Sequence, residues 1–235
     1  MLKYLQLPFH FDAEKMHQEV LHLQAAVWQE HYQKLQYEGE WAALSLRSTT
    51  GEAGNIIISP QENATYQDTE LLAQCPYLNE VLQTFKCPLM AVRLLKLDAG
   101  ALIKAHRDAD LCYEKGEIRL HIPIITHADV EFHLDEEPMQ LKAGECWYMN
   151  FNLMHRIHNK SDVNRIHLVI DAKLNDWVTS VFESPEIIIK KEIEDIPTTH
   201  DEATSKQMIL LLREMNTETS NKLADGLEED LGNNT

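Results

Sequence analysis

The stretch GEIRLHIPIIT, residues 116–126, alternates apolar and polar side chains from Ile118 to His121 and stays apolar on one parity to Ile124. Successive side chains of a strand point to opposite faces, so Ile118, Leu120, Ile122 and Ile124 share one side and Arg119 and His121 the other. A helix would scatter the same residues around its circumference. The period of two therefore makes this segment a strand with one apolar face, and leaves open what Arg119 and His121 meet on the other.

The same texture extends outward. From Pro88 to Leu174, short runs rich in β-branched and aromatic residues are separated by DAG (98–100), YEKGE (113–117), DEEP (135–138), KAGE (142–145) and NKSDVN (159–164). About seven strands spaced by turn signals predict an all-β sandwich or jelly roll. Upstream, Asp12 is placed to cap a helix carrying Met16, Val20 and Leu23. WAALSLRS (41–48) and GNIIIS (54–59) read as strands, and TELLAQCPYLNEVLQTF (69–85) as helical, with Pro76 starting a second turn segment. After SVFESPE (180–186) the chain becomes acidic, and Met208, Leu211, Leu212 and Met215 recur at helical spacing. The expected organisation is a domain over 1–183 with its motif core at 88–174. An extension over 184–235 follows, with one amphipathic helix that packs back or docks a partner, and a disordered last ten residues.

Composition narrows the function. Of 235 residues, 44% are hydrophobic, enough for a sizeable core. Lys plus Arg number 21 against 38 Asp plus Glu, a net charge of -17 with no basic stripe, which excludes nucleic acid as a natural partner. No window is apolar enough for a membrane span, and the start, MLKYLQLPFHFDAEK, lacks the features of a signal peptide. The four cysteines form no CxxC pair, in keeping with buried thiols in a reducing compartment. A soluble cytoplasmic protein is the expectation.

Twelve histidines are many for this length. His10, His17, His22, His31 and His200 lie in polar or helical surroundings and read as surface residues, and His127, His133 and His158 as non-ligands. ALIKAHRDAD (101–110) is different: His106 and Asp108 stand two apart, and His155 follows in FNLMHRIHNKS (151–161). They are either hydrogen-bonded turn and core residues or one face of a metal site. Two histidines and a carboxylate hold Fe(II) with three positions open, the arrangement that an oxo acid and O2 require. Arg165, in NRIHLVID (164–171), points away from Ile166, Leu168 and Ile170. A buried guanidinium needs an anion, and a dicarboxylate such as 2-oxoglutarate supplies one. Iron's two positive charges and that of Arg165 then balance Asp108 and the co-substrate, which leaves Arg119 surplus for a substrate carboxylate. Arg47 in SLRSTTG and Arg93 in AVRLLKL are further candidate substrate contacts, or ordinary salt-bridged arginines.

Four blocks in order, IKAHRD, RLHIPIIT, KAGECWYMNFNLMHRIHN and RIHLVID, resemble the aspartyl/asparaginyl β-hydroxylase family, which also contains bacterial proline hydroxylases. The likeness spans about residues 88–172. It implies a cupin-like double-stranded β-helix and an Fe(II)- and 2-oxoglutarate-dependent dioxygenase that hydroxylates a C–H bond and releases succinate and CO2. Position by position, it implies His106, Asp108 and His155 as iron ligands and Arg165 at the distal carboxylate of 2-oxoglutarate. His121 matches a histidine contacting the co-substrate, and Arg119 an arginine meeting the co-substrate or the substrate; Gly144 and Trp147 match structural positions. The animal members lack a carboxylate at the Asp108 position and carry a membrane anchor and helical repeats. The chain thus resembles the small bacterial members, whose substrates include free amino acids and peptides. Two rival readings remain: a metal-dependent cupin-like enzyme without a co-substrate, and a non-catalytic binding protein that docks through its C-terminal helix.

Overall fold

The computed structural model describes residues 1–23, 26, 28–58, 64–108, 111–193, 202–215, 221, 224–225 and 228. The strands are β1 (Leu2–His10), β2 (Gln29–Glu30), β3 (Tyr37–Glu38), β4 (Trp41–Ser48), β5 (Gln67–Asp68), β6 (Leu89–Leu97) and β7 (Leu102–His106). They continue as β8 (Glu117–Ile125), β9 (Val130–Leu134), β10 (Glu137–Met139), β11 (Glu145–Met149), β12 (His155–Asn159), β13 (Arg165–Lys173) and β14 (Ile189–Glu192). The helices are α1 (Ala13–His22), α2 (Pro76–Gln83), α3 (Asp176–Phe182) and α4 (Glu202–Met215).

The larger sheet runs β14-β1-β11-β8-β13-β6-β4-β2, with β5 on β4, and the smaller runs β10-β9-β12-β7-β3. From β6 to β13 the chain passes back and forth between the two sheets, leaving β11-β8-β13-β6 in one and β10-β9-β12-β7 in the other. This is the double-stranded β-helix that the resemblance implies.

Alternation on β8 sorts two cores. Ile118, Leu120, Ile122 and Ile124 join Leu168 and Ile170 of β13 against Met16 and Val20 of α1 and Leu78 of α2. Between the sheets lie Trp41, Leu97, Ile103, Phe132, Trp147 and Phe151. Burial contributes about 1.5–3 kcal/mol for each large apolar side chain, so the face of β8 is fixed firmly and Arg119 and His121 are committed to the inner side.

Local signals behave as the sequence predicts in α1, where Asp12 accepts from the Lys15 N–H. Pro76 opens α2, and the Glu19 carboxylate of α1 caps it by accepting from the N–H groups of Tyr77 and Leu78 at 2.6 and 2.8 Å. Two segments differ. The described part of GNIIIS is not a strand: Asn55 bonds the Thr49 and Thr50 hydroxyls, Ile56 is buried, Ile58 is half-buried and Ile57 is exposed, so an anchored loop replaces a ladder. The opening residues, read in the sequence only for what they lack, form β1, which pairs β11 and β14.

The chain divides into two compact units, Met1–Ile193 and Glu194–Thr235. In the second, α4 buries Ile209 and exposes Leu210 and Leu211. Arg213 donates there to Asp225 and Glu228. His200 lies outside the described residues, as do the last ten apart from Glu228, and so do the side chains of Met208 and Met215. No described helix is long and apolar enough to cross a membrane.

Candidate active site

His106 ends β7 and His155 opens β12, and the two are cross-strand partners, with ring centroids 4.2 Å apart. Each ring is turned by the same device. His106 Nδ1 donates to the Lys104 carbonyl at 2.8 Å and His155 Nδ1 to the Leu153 carbonyl at 3.0 Å, so both Nε2 atoms keep a free lone pair. Asp108 lies beyond the end of β7, anchored by its N–H on the Phe151 carbonyl at 2.9 Å. Its proximity to His106 therefore comes from this loop anchor and not from strand alternation. Ligand atoms of His106, Asp108 and His155 all lie within 4.8 Å of one another, and Asp108 Oδ1 is 3.7 Å from His106 Nε2. Two imidazoles and one carboxylate suit a divalent transition ion, Fe(II) among them.

A buried charge network stands beside this trio. Arg119 donates from Nη1 to Asp108 Oδ2 at 2.5 Å, from Nε to Asp171 Oδ1 at 2.6 Å and from Nη2 to Asp171 Oδ2 at 3.2 Å. Arg93 also donates to Asp171 Oδ2, at 2.9 Å, while its buried Nε has no partner among the described residues. Burial pushes the Asp108 carboxyl up, but Arg119, His155 and His106 outweigh it and hold the group below the ordinary carboxylate value. The charge count read from the sequence omitted Asp171 and Arg93. Arg119 is not surplus: its donors are taken by two carboxylates, one of them Asp108 itself. Of the two guanidinium groups on Asp171, Arg93 is the under-satisfied one.

Arg165 and His167 share the inner face of β13, both nearly fully buried. Burial pushes the Arg165 guanidinium down to about 9, and among the described residues no carboxylate is paired with it. It donates from Nη2 to His167 Nδ1 at 2.9 Å. His121, on β8, has its Nδ1 3.3 Å from the same atom and stacks on Phe151, which in turn meets His155 edge-on. Burial, then the Arg165 charge, holds both His121 and His167 neutral, well below the usual imidazole value. A continuous line of rings thus connects His155 to Arg165.

His31 is not a surface residue. It is buried, stacked between Tyr32 and Trp41, with centroids 4.6 and 3.5 Å away, and Trp41 lies 6.5 Å from His106. Burial, then Arg93, lowers its pKa to about 3. Its polar sequence neighbours gave no hint of this; Trp41 at the head of a predicted strand was the available signal. Arg47 stands apart: a bulge in β4 between Ser45 and Arg47 turns it to the helix side, where it donates to Asp68 at 2.5 Å. His127, His133 and His158 also stay outside the trio. All four cysteines are free thiols.

The two sheets form a β-helix in which two histidines from adjacent strands of the smaller sheet and an aspartate just past β7 could hold a metal ion, and the aspartyl/asparaginyl beta-hydroxylase family model matches residues 10–174. The chain belongs to this family. It is 27% identical over 179 residues to the L-proline cis-4-hydroxylase of Rhizobium meliloti (strain 1021), covering 75% of this chain and 62% of that protein. It is 26% identical over 140 residues to an L-proline cis-3-hydroxylase of a Streptomyces species, covering 57% and 47%. The chain thus spans between about half and three-fifths of these curated relatives. Among solved structures, a 2OG-Fe(II) oxygenase family oxidoreductase from Burkholderia pseudomallei aligns at 14% identity and TM-score 0.48, covering 70% of this chain and 82% of that one.

Proposed function

We propose that the protein is an Fe(II)- and 2-oxoglutarate-dependent hydroxylase that inserts oxygen into a C–H bond of an amino acid, free or within a peptide, and releases succinate and CO2. His106, Asp108 and His155 hold the iron, Arg165 takes the distal carboxylate of 2-oxoglutarate, and Arg93 takes a carboxylate of the substrate. Family membership and the proline hydroxylases among the relatives support this reading. The observation that carries it is the convergence of three ligand atoms within 4.8 Å, with both Nε2 lone pairs free.

Iron, when bound, supplies the oxygen-activating chemistry; the rest is the work of this chain. Asp108 has one oxygen held by Arg119, so its other oxygen is oriented before any cation arrives. Phe151 walls the space between His155 and His121 and limits water there. The charges also favour a substrate that brings a carboxylate to Arg93. Arg93, Arg119 and Arg165 exceed Asp108 and Asp171 by one, and Fe(II) and 2-oxoglutarate cancel each other. One positive charge remains, and a substrate carboxylate removes it.

The test is to incubate the iron-loaded protein with 2-oxoglutarate and each common amino acid in turn and to measure succinate. Succinate release stimulated by an amino acid, and lost in Asp108→Ala, is the expected result. Undiminished succinate release in Asp108→Ala would overturn the ligand assignment, and no 2-oxoglutarate consumption with any amino acid would overturn the reading for free amino acids.

A further inference from the structure

We infer that Asp171 is a positioning residue for the metal ligand Asp108: by gripping one edge of the Arg119 guanidinium, it stops Arg119 from closing on both oxygens of Asp108. The inference rests on the ligand reading above. It starts from the planar fork of arginine, which offers a carboxylate either its Nε and Nη2 edge or its Nη1 and Nη2 edge. Asp171 takes the first, accepting from Nε at 2.6 Å and from Nη2 at 3.2 Å. Only Nη1 reaches Asp108, and only at Oδ2. Asp108 Oδ1 is left on the histidine side, 3.7 Å from His106 Nε2. Two carboxylates thus divide one guanidinium, and the division decides which oxygen stays open to a cation.

The two holds differ in firmness. Asp171 and Arg119 stand directly opposite each other in the β13–β8 ladder, in the middle of the larger sheet, and Asp171 is only 2% exposed. Asp108 is half-buried in the loop past β7, on its single N–H bond to the Phe151 carbonyl. The Phe151 ring also lies against the guanidinium, its centre 5.6 Å from Arg119 Cζ. The sheet therefore fixes the plane of Arg119, and the loop carboxylate meets it as it stands. Without the Asp171 charge, Asp108 is the one carboxylate left to pair with Arg119 among the described residues. A buried guanidinium then gains most from a two-bond fork on that carboxylate. The fork occupies Oδ1, and Arg119 competes with a divalent ion for the same group.

Co(II) binding to the full chain, followed by chelator competition and by the ligand-field spectrum, tests this without turnover. Asp171→Asn alone strands two buried cations, because Arg93 also donates to Asp171. Asp171→Asn/Arg93→Gln removes one charge of each sign, so the network keeps the wild-type charge and only the partition of Arg119 changes. This double variant should bind Co(II) about tenfold to a hundredfold more weakly than the wild type, with a spectrum approaching that of Asp108→Ala. Adding Arg119→Gln should bring the affinity to within about twofold of Arg93→Gln, which has the same net charge, because nothing then competes for Asp108. Wild-type affinity in the double variant would overturn the inference. So would a triple variant that stays weak, since Asp171 would then act through the sheet and not through Arg119. Co(II) affinity unchanged in Asp108→Ala would instead overturn the ligand reading itself.

Discussion

Asp171 accepts from two buried guanidinium groups, Arg93 and Arg119, and through Arg119 it is tied to Asp108. Replacing it by asparagine keeps the shape and removes the charge, leaving both cations under-compensated in a dry interior. Asp171→Asn should destabilise the protein by about 3–5 kcal/mol, the range for breaking a buried ion pair, read as a lower urea midpoint. An unchanged midpoint would mean that water already screens these groups. The residue was legible in part. Period two puts Arg165, His167, Val169 and Asp171 on one face of β13, and the sequence reading took Arg165 correctly away from the apolar side. What it lacked was the neighbour: Arg93 reaches Asp171 from β6, and strand order cannot be read from spacing alone. The same gap explains Arg119, whose facing was right and whose partners were not.

At the level of elements, turn chemistry carries weight that side-chain lists hide. Gly144, in the KAGE turn before β11, has φ +83°, and a Cβ there would lie 2.3 Å from the Phe11 carbonyl oxygen. Its own carbonyl accepts from Phe11 N–H and its N–H donates to Pro123. Gly144→Ala therefore meets both a left-handed backbone and a backbone clash, and should lower stability by about 2 kcal/mol or more, measured by thermal or chemical unfolding. Alanine at no cost would show that the turn can re-form. The sequence marked this glycine as structural, and its five turn signals set off much of the motif core, though none of them divides β8 from β9 or β11 from β12. It misread GNIIIS because three consecutive isoleucines mimic a buried strand, whereas Asn55 spends its side chain on the Thr49 and Thr50 hydroxyls. Spacing alone set Asp108 near His106, but β7 has already ended there and the bond to the Phe151 carbonyl fixes its place.

Across the whole molecule, His31, His121 and His167 are buried and neutral, with pKa values held below the unfolded value near 6.5. Below pH 6.5 the unfolded chain takes up protons that the native protein refuses, so stability is complete above that value and falls with acidity. The loss is about 1.4 kcal/mol per histidine for each pH unit while the native rings stay neutral. Urea midpoints should thus drop steeply from pH 6.5 towards pH 4.5, and a flat profile across that window would contradict the neutral assignments. None of this burial shows in composition, because only the assembled sheets bring His31 under Trp41. Assembly also has an order in time. Strand β1 leaves the ribosome well before its ladder partners in β11 and β14, which lie well over a hundred positions further on. Its leucines must stay uncovered while the strands between them are synthesised, so a strand made before β6 to β10 is paired after them, and this fold should depend on chaperones or slow translation more than its size suggests.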